Sequence, residues 1–301
     1  MGSSILGEST GTAGSDSVTR SMEQPPPAPV AAAPAVETVY RHTVPVRIGH
    51  WLNAVCLFVL IMSGLQIFNA HPALYWGDRS DRDKPLLSIR PMRAANGEVR
   101  GVTTVLGHRF DTTGVLGYSD GRGRAFPAWA TLPGPQWLAM GRRWHLFFAW
   151  LFVLNGLLFV AYSVVSRHFA RDLLPTTRDV RDIGRVVKDH VILRRPKGDE
   201  ATRYNVLQKA AYLIVIFGLA PLIVLTGLAM SPMIDAAVPW LVASLGGRQA
   251  ARTVHFVACF AFVAFIAIHV FQVAITGFVN KIRSMTTGRF LVEREGAAHD
   301  A

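Results

Sequence analysis

Two histidines, His255 and His269, lie fourteen positions apart in an apolar run, 254–276, that is long enough to cross a membrane. An ionisable residue inside a bilayer is costly, so its presence there indicates a function. At about 100° and 1.5 Å per residue, fourteen steps return to within about 40° of one helix face and advance about 21 Å. Imidazole is the commonest protein ligand for metals and also holds haem iron. The spacing predicts two metal or haem sites at different depths on one helix.

The composition supports a membrane protein. Of the 301 residues, 50% are hydrophobic and only 17% are charged. Four apolar runs are long enough to span a bilayer, at about 48–68, 144–165, 208–230 and 254–276. Backbone groups in lipid must be satisfied within their own segment, so these runs are predicted to be helices. We expect an all-α fold, an integral membrane four-helix bundle.

The net charge of +11 could indicate nucleic acid, but the basic residues are spread through the connecting loops and form no single stripe, so no nucleic-acid partner is expected. Most of them lie near the span ends on the side of both termini. That side collects Arg41, Arg47, Arg167, Arg171, Arg178, Arg194, Arg195, Lys197, Arg203, Lys281, Arg283 and Arg289. The other side collects Arg79, Arg82, Arg142, Arg143, Arg248 and Arg252. The positive-inside rule therefore predicts that both termini are cytoplasmic.

The segments outside the spans divide the chain further. Residues 1–39 are rich in Ser and Gly and then in Pro and Ala, which predicts a disordered cytoplasmic tail before a membrane domain at 40–290 and a short tail at 291–301. The first loop, 69–143, is far longer than a bundle requires. It is predicted to form an extracytoplasmic cap, either docking a partner or packing on the bundle. The middle loop, 166–207, is a basic connector with a predicted surface helix at 178–190.

Four histidines form the candidate site. His50 lies near the cytoplasmic end of the first span and His145 near the outer end of the second, while the fourth span returns inward from His255 to His269. The depths match as His145 with His255 and His50 with His269, each pair bridging two helices. A flat macrocycle with two axial imidazoles fits this arrangement. A tetrahedral zinc site would need four ligands at one depth.

Arginine and glycine add to this pattern. An arginine precedes three of the histidines by three positions: Arg47 before His50, Arg142 before His145 and Arg252 before His255. Such an arginine lies about one turn nearer the membrane surface, where haem propionates need cationic partners, although arginine also caps membrane helices by snorkelling. Gly64 follows His50 by fourteen positions and leaves room near the outer site, with Gly156, Gly218 and Gly227 as further candidates.

The motifs resemble those of a known family. Arg47-Ile-Gly-His50-Trp51-Leu-Asn53, Ser63-Gly64-Leu65, His145 and the pair His255 and His269 together resemble the bacterial cytochrome b561 family over residues 40–290. That family includes the nickel-iron hydrogenase cytochrome b, the formate dehydrogenase gamma subunit and the thiosulfate reductase cytochrome b. The resemblance implies two b-type haems, one on His50 with His269 and one on His145 with His255. It also implies a multi-pass protein of the bacterial inner (plasma) membrane.

A further segment concerns quinone. Tyr204-Asn205-Val-Leu-Gln208-Lys209 opens the third span and looks like the segment at the quinone pocket of the formate dehydrogenase branch, although it also suits a helix start with an interfacial Tyr. The resemblance then implies Asn205 and Gln208 as quinone contacts. It implies electron transfer between the quinone pool and an extracytoplasmic redox subunit such as a molybdenum oxidoreductase, a hydrogenase or a c-type cytochrome. The chain is expected to be an electron-transfer subunit, without catalytic residues of its own.

The alternative is a transporter in which the histidines relay protons or bind a transition metal. A proton path would be expected to use further acids inside the membrane. None occurs within the four predicted spans, and the nearest, Asp235, lies in the third loop. This observation favours the cytochrome.

Overall fold

A computed structural model describes residues 35–167, residues 169, 174, 176, 181, 183, 184 and 188, and residues 206–294. Several predicted features lie wholly or mostly outside this part of the chain. They are the tail up to residue 34, most of the middle loop with its helix at 178–190, Tyr204 and Asn205, and residues 295–301.

In the described part of the chain, four helices are long and apolar enough to cross a membrane, which confirms the four predicted apolar helices. They are α1 (Val44–Phe68), α2 (Leu138–Val165), a third span over Val206–Ala229, and α7 (Arg248–Ile275). Three of them begin several residues before the apolar run does, because a helix continues through polar residues beyond the hydrocarbon. Pro45 in the first turn of α1 suits this position, since its missing N–H has no helical acceptor there.

The third span is not uniform. It consists of α3 (Val206–Leu213), a π-helical turn (Ile214–Leu219) and α4 (Ala220–Ala229), with Pro221 at the start of α4. Proline cannot donate the i to i−4 hydrogen bond, and a π-helical turn is one way for a helix to absorb that loss. The sequence pattern predicted the span but not this turn.

The spans pack as two hairpins. The α1 helix packs closely against α2, and α4 packs closely against α7, whereas no equally close backbone packing joins the two hairpins in the described part of the chain. Buried Asn155 of α2 donates hydrogen bonds to the Gly49 carbonyl at 3.0 Å and to Asn53 Oδ1 at 2.7 Å, both on α1. Polar contacts of this kind join helices where no water competes for them.

The segment 69–137 between α1 and α2, called the cap here, contains a sheet. Its strands are β2 (Ala73–Leu74), β3 (Leu87–Arg93), β4 (Val99–Val105) and β5 (His108–Asp111), antiparallel in the order β2-β3-β4-β5. Leu74 and Ile89 pack with Phe68, at the end of α1, into a buried cluster. The cap therefore packs on the bundle, and the all-α prediction was wrong for this segment. We call this end of the bundle the cap side.

The opposite end, the tail side, carries a second sheet. After α7 the chain bends at Gly277 into α8 (Phe278–Thr287), and β6 (Arg289–Arg294) then pairs antiparallel with β1 (Ala35–Tyr40). Residues 35–39 and 291–294 are therefore strands, although both were predicted to belong to tails. Each strand is six residues long and gains its partner only from the other end of the chain, so neither has a local sequence signal.

Two short helices, α5 (Pro232–Ala237) and α6 (Pro239–Ser244), connect α4 to α7 on the cap side. Leu241 and Val242 of α6 are buried with Ala229 and Ala251 at the ends of those spans. This connection holds the second hairpin together at the cap side.

Candidate functional site

The structure brings the four histidines together in the two pairs that the depth argument predicted. The ring centroids of His145 and His255 are 6.2 Å apart, and those of His50 and His269 are 6.3 Å apart. The first pair lies on the cap side and the second on the tail side. Each pair joins a helix of the first hairpin to α7 of the second.

The cap-side histidine of α2 is held by the neighbouring helix α1. His145 Nδ1 lies 3.0 Å from Ser63 Oγ, and the backbone carbonyl of Leu60 also hydrogen-bonds to this imidazole. Ser63 Oγ is itself 3.3 Å from the Leu60 carbonyl, to which it donates. Because the single proton of the Ser63 hydroxyl goes to the Leu60 carbonyl, Ser63 Oγ accepts from Nδ1 of His145, which therefore carries the proton and leaves Nε2 with the free lone pair.

The cap-side histidine of α7 is held in the same way. His255 Nδ1 lies 3.0 Å from the Ile223 carbonyl and 3.1 Å from Thr226 Oγ1. Thr226 Oγ1 is 2.7 Å from the Leu222 carbonyl, to which it donates. The carbonyl of Ile223 again places the proton on Nδ1 and leaves Nε2 free to bind a metal.

These two arrangements repeat a sequence motif. The motif is a residue whose backbone carbonyl accepts a hydrogen bond from the histidine, then three positions later a hydroxyl residue followed by Gly and Leu. Its members are Leu60, Ser63, Gly64 and Leu65 in α1, and Ile223, Thr226, Gly227 and Leu228 in α4. A Cβ atom on Gly64 would lie 3.4 Å from His145 Cε1, and one on Gly227 would lie 3.3 Å from His255 Cε1. The glycines let each imidazole lie against the helix. Sequence reasoning noted both glycines but missed Thr226, which the repeated triplet could have revealed.

The tail-side pair has different surroundings. His50 Nδ1 is buried and has no hydrogen-bond partner among the described residues. The His50 ring meets Trp51 edge-on at 5.2 Å, and the His269 ring stacks on Phe265 at 5.9 Å. Trp51 Nε1 donates to the Met285 carbonyl at 3.1 Å, which ties this level to α8. Aromatic rings therefore flank the tail-side imidazoles.

The three predicted arginines have separate roles. Arg252 donates to the Ala73 carbonyl at 3.0 Å and to the His71 carbonyl at 2.5 Å, and thereby ties α7 to the cap. Arg47 donates to the Thr286 carbonyl at 2.7 Å and ties α1 to α8. Arg142 is exposed. A shared position three residues before a histidine therefore gives these arginines no shared contact.

A cation lies beside the tail-side pair, although the sequence indicated only that it contributes to the orientation of the chain in the membrane. Lys281 of α8 is close enough to His269 for their charges to interact. Burial, and then the charge of Arg41, lower the pKa of Lys281. The position of Lys281 depends on the bend at Gly277, which the hydrophobic pattern of the sequence does not predict.

Within the described ranges, no group of three or more His, Cys, Asp or Glu side chains lies close enough to hold a metal ion by itself. The candidate donors therefore come in pairs. A pair of imidazoles at one level suits a cofactor metal that two protein side chains hold.

The family model for prokaryotic cytochrome b561 matches residues 41–288 of the 301. The chain belongs to the prokaryotic cytochrome b561 family. A protein of Azospira oryzae named "Putative protein-methionine-sulfoxide reductase subunit YedZ1" is 28% identical over 231 residues, which cover 76% of this chain and 87% of that protein. The cytochrome b561 family consists of membrane proteins that bind haem b and transfer electrons.

For this cytochrome b561, the predicted quinone contacts divide between described and undescribed residues. Gln208 lies in the first turn of α3 and is partly buried. Its neighbour Lys209 is buried, and its Nζ donates to the Leu174 carbonyl at 3.3 Å. Asn205 lies outside the described residues, so a quinone pocket at this point stays a prediction.

Proposed function

We propose that this chain is a di-haem b-type cytochrome that carries electrons across the membrane between the quinone pool and a redox subunit bound on the cap side. His145 and His255 would hold one haem, and His50 and His269 the other. The two levels are separated by the fourteen residues from His255 to His269, about 21 Å along α7.

The spacing of the imidazole rings carries this proposal. A bond between a metal and an imidazole nitrogen is about 2.0 Å long, and a ring nitrogen lies about 1.1 Å from its ring centre. Two imidazoles that bind one metal ion from opposite sides would therefore have centroids about 6.2 Å apart. The two pairs in this chain have centroid distances of 6.2 and 6.3 Å.

Other features of the site favour the same cofactor. On the cap side, Nδ1 of each imidazole is engaged as a donor, which leaves Nε2 for iron. Gly64 and Gly227 have no side chains, which leaves space next to these rings. The absence of close backbone packing between the described parts of the two hairpins suits a planar group between them.

When bound, haem b supplies one-electron chemistry at its iron. Two imidazoles bound to one iron would leave no position for a substrate, so the residues of this chain would serve to hold and tune the iron. The apolar spans exclude water from both levels. Lys281 and Arg47 place positive charge at the tail-side level, where carboxylate groups of the cofactor would need partners.

The proposal also assigns sides and partners. The excess of Lys and Arg on the tail side supports a cytoplasmic tail side and an extracytoplasmic cap in the bacterial inner membrane. The name of the Azospira oryzae relative supports a reductase as the partner at the cap. Electrons would then pass from quinol, near Gln208 on the tail side, outward to that reductase.

Haem content and two single variants test the proposal. Purified protein should show the reduced-minus-oxidised spectrum of six-coordinate haem b, and pyridine extraction should give two haems per chain. His255→Ala and His269→Ala should each lose one haem, whereas His108→Ala, in the exposed strand β5, should keep both. A wild-type protein with no haem, or loss of haem from His108→Ala alone, would overturn the assignment.

A further inference from the structure

The cap-side histidines differ from His50 in what holds Nδ1. On the cap side, Nδ1 of His145 and Nδ1 of His255 each have a hydroxyl oxygen as partner, and each ring also hydrogen-bonds to a backbone carbonyl. On the tail side, Nδ1 of His50 has no partner among the described residues. The chain has therefore built a matched pair of contacts at one level and left a nitrogen without them at the other.

The direction of the hydroxyl contacts follows from their own helices. Ser63 Oγ donates its proton to the Leu60 carbonyl, and Thr226 Oγ1 donates to the Leu222 carbonyl, as Ser and Thr side chains often do in membrane helices. A hydroxyl has one proton, so towards the imidazole each oxygen acts as an acceptor. Both Ser63 and Thr226 are fully buried, so water does not compete for these bonds.

An acceptor at Nδ1 changes the electron density of the ring. It draws the Nδ1 proton away and makes Nε2 a stronger donor to a bound metal, in addition to fixing the orientation of the ring. A stronger donor favours Fe(III) over Fe(II), because the oxidised ion carries one more positive charge. Each hydroxyl should therefore lower the reduction potential of the iron that its histidine binds.

We propose that Ser63 and Thr226 are positioning residues that make the cap-side haem the lower-potential haem of the two. This inference rests on the proposed di-haem function and adds an order of potentials to it. An electron shared between the two levels would then reside mainly on the tail-side haem, next to the proposed quinone site. The half-reaction at each level is the gain of one electron by Fe(III) to give Fe(II).

Redox titration of the purified full-length protein tests the inference. Ser63→Ala and Thr226→Val remove one hydroxyl each, and each should change the ratio of oxidised to reduced cap-side haem about threefold at a given potential. For a one-electron couple this equals a rise in midpoint potential of about 28 mV, since tenfold is 59 mV. A His269→Ala background, which leaves only the cap-side haem, identifies the affected haem in the titration.

Two further variants separate tuning from simple loss of structure. Thr226→Ser keeps the hydroxyl and should restore the wild-type potential. Ser163→Ala removes a buried α2 hydroxyl that has no partner among the described residues, and should leave the potential unchanged. If Ser63→Ala fails to bind haem, the midpoint potentials of Thr226→Val and Thr226→Ser are sufficient to test the inference.

The outcomes distinguish this inference from the function on which it rests. Two haems per chain with an unchanged or lower cap-side potential in Thr226→Val would overturn the inference and leave the di-haem function standing. The same holds if Thr226→Ser shifts the potential as much as Thr226→Val does. Fewer than two haems in the wild type would instead overturn the proposed function.

Discussion

Arg252 offers a direct test of how the cap is attached to the bundle. Its guanidinium donates to the carbonyls of His71 and Ala73, next to β2, and it also lies over the Phe68 ring with 5.6 Å to the centroid. A hydrogen bond from a charged donor contributes about 1.5–3 kcal/mol. Arg252→Met keeps the length of the side chain but loses both bonds, so the free energy of cap opening should fall by about 3 kcal/mol or more.

Amide hydrogen exchange measures that opening. The amides of Leu86 and Ile89 donate to the carbonyls of Leu74 and Pro72, so their exchange reports on the attachment of β2. Since 1.4 kcal/mol corresponds to a factor of ten, a loss of about 3 kcal/mol should speed their exchange by about a hundredfold or more. Arg142→Met, at an exposed arginine on the same side, should leave both amides as in the wild type.

The alternative role of Arg252 gives the opposite result. If Arg252 serves chiefly to pair with a haem propionate, as its position before His255 first suggested, Arg252→Met should weaken cap-side haem binding with exchange at Leu86 and Ile89 unchanged. That outcome would refute the structural account of this residue. Rapid exchange with normal haem content would support it.

Three further perturbations concern the glycine contact, the helix interface and the cap. Gly227→Val should displace His255 and remove one haem, because even a Cβ there would lie 3.3 Å from the ring, whereas Gly156→Val meets no atom within 4 Å of its Cβ and should keep both haems. Equal haem content in these two variants would contradict the contact. Asn155→Leu should lower the thermal unfolding midpoint, since it leaves the polar partners on α1 unpaired; an unchanged midpoint would show that the interface does not depend on them. Burial, with nearby arginine charges, lowers the pKa of His71 from 6.5, so cap stability should fall as the pH drops below 6.5. His71→Phe should abolish that fall in amide exchange corrected for intrinsic rates, and a fall that persists would point to another group.

The spans and the pairing of the histidines were predictable because both depend on regular geometry. A run of about 20 apolar residues has few structures available in lipid, and helical rise converts a sequence separation directly into depth. His145 with His255 and His50 with His269 follow from depth alone once four helices alternate in direction. The ring distances of 6.2 and 6.3 Å agree with that expectation.

The β4–β5 hairpin of the cap sheet has no clear sequence signal because its turn chemistry is unusual. The β4–β5 hairpin turns through Leu106 and Gly107, both with positive φ, and the strands pair Val105 with His108 across this two-residue loop. Such a turn normally carries Asn or Asp before Gly, whereas Leu in a left-handed conformation gives no such signal. The strand pairing, and not the local sequence, therefore holds Leu106 in place.

The protein contacts of the arginines could not be predicted for a different reason. A three-residue step shows that Arg252 and His255 share a helix face, but it does not show what covers that face. Here Arg252 reaches two carbonyls at the start of the cap, and Arg47 reaches the Thr286 carbonyl at the end of α8. Such partners come from distant parts of the chain, so only the three-dimensional structure reveals them.

The two hairpins explain why the histidine pairs are unlike each other. On the cap side each hairpin contributes one helix that carries a histidine and one helix with a hydroxyl–Gly pair, Ser63-Gly64 in α1 or Thr226-Gly227 in α4. His145 therefore lies against α1 and His255 lies against α4 in matching ways. In α7, His269 follows His255 by fourteen residues, whereas in α2 the residue fourteen positions after His145 is Phe159. In α1, His50 precedes Gly64 by fourteen residues, whereas in the third span the residue fourteen positions before Gly227 is Leu213. The tail-side ligand of the first hairpin, His50, therefore lies on α1, the helix that also carries Ser63 and Gly64. A hydroxyl–Gly pair cannot contact a histidine fourteen residues away on its own helix. The order of potentials proposed above follows from this break in the repeat.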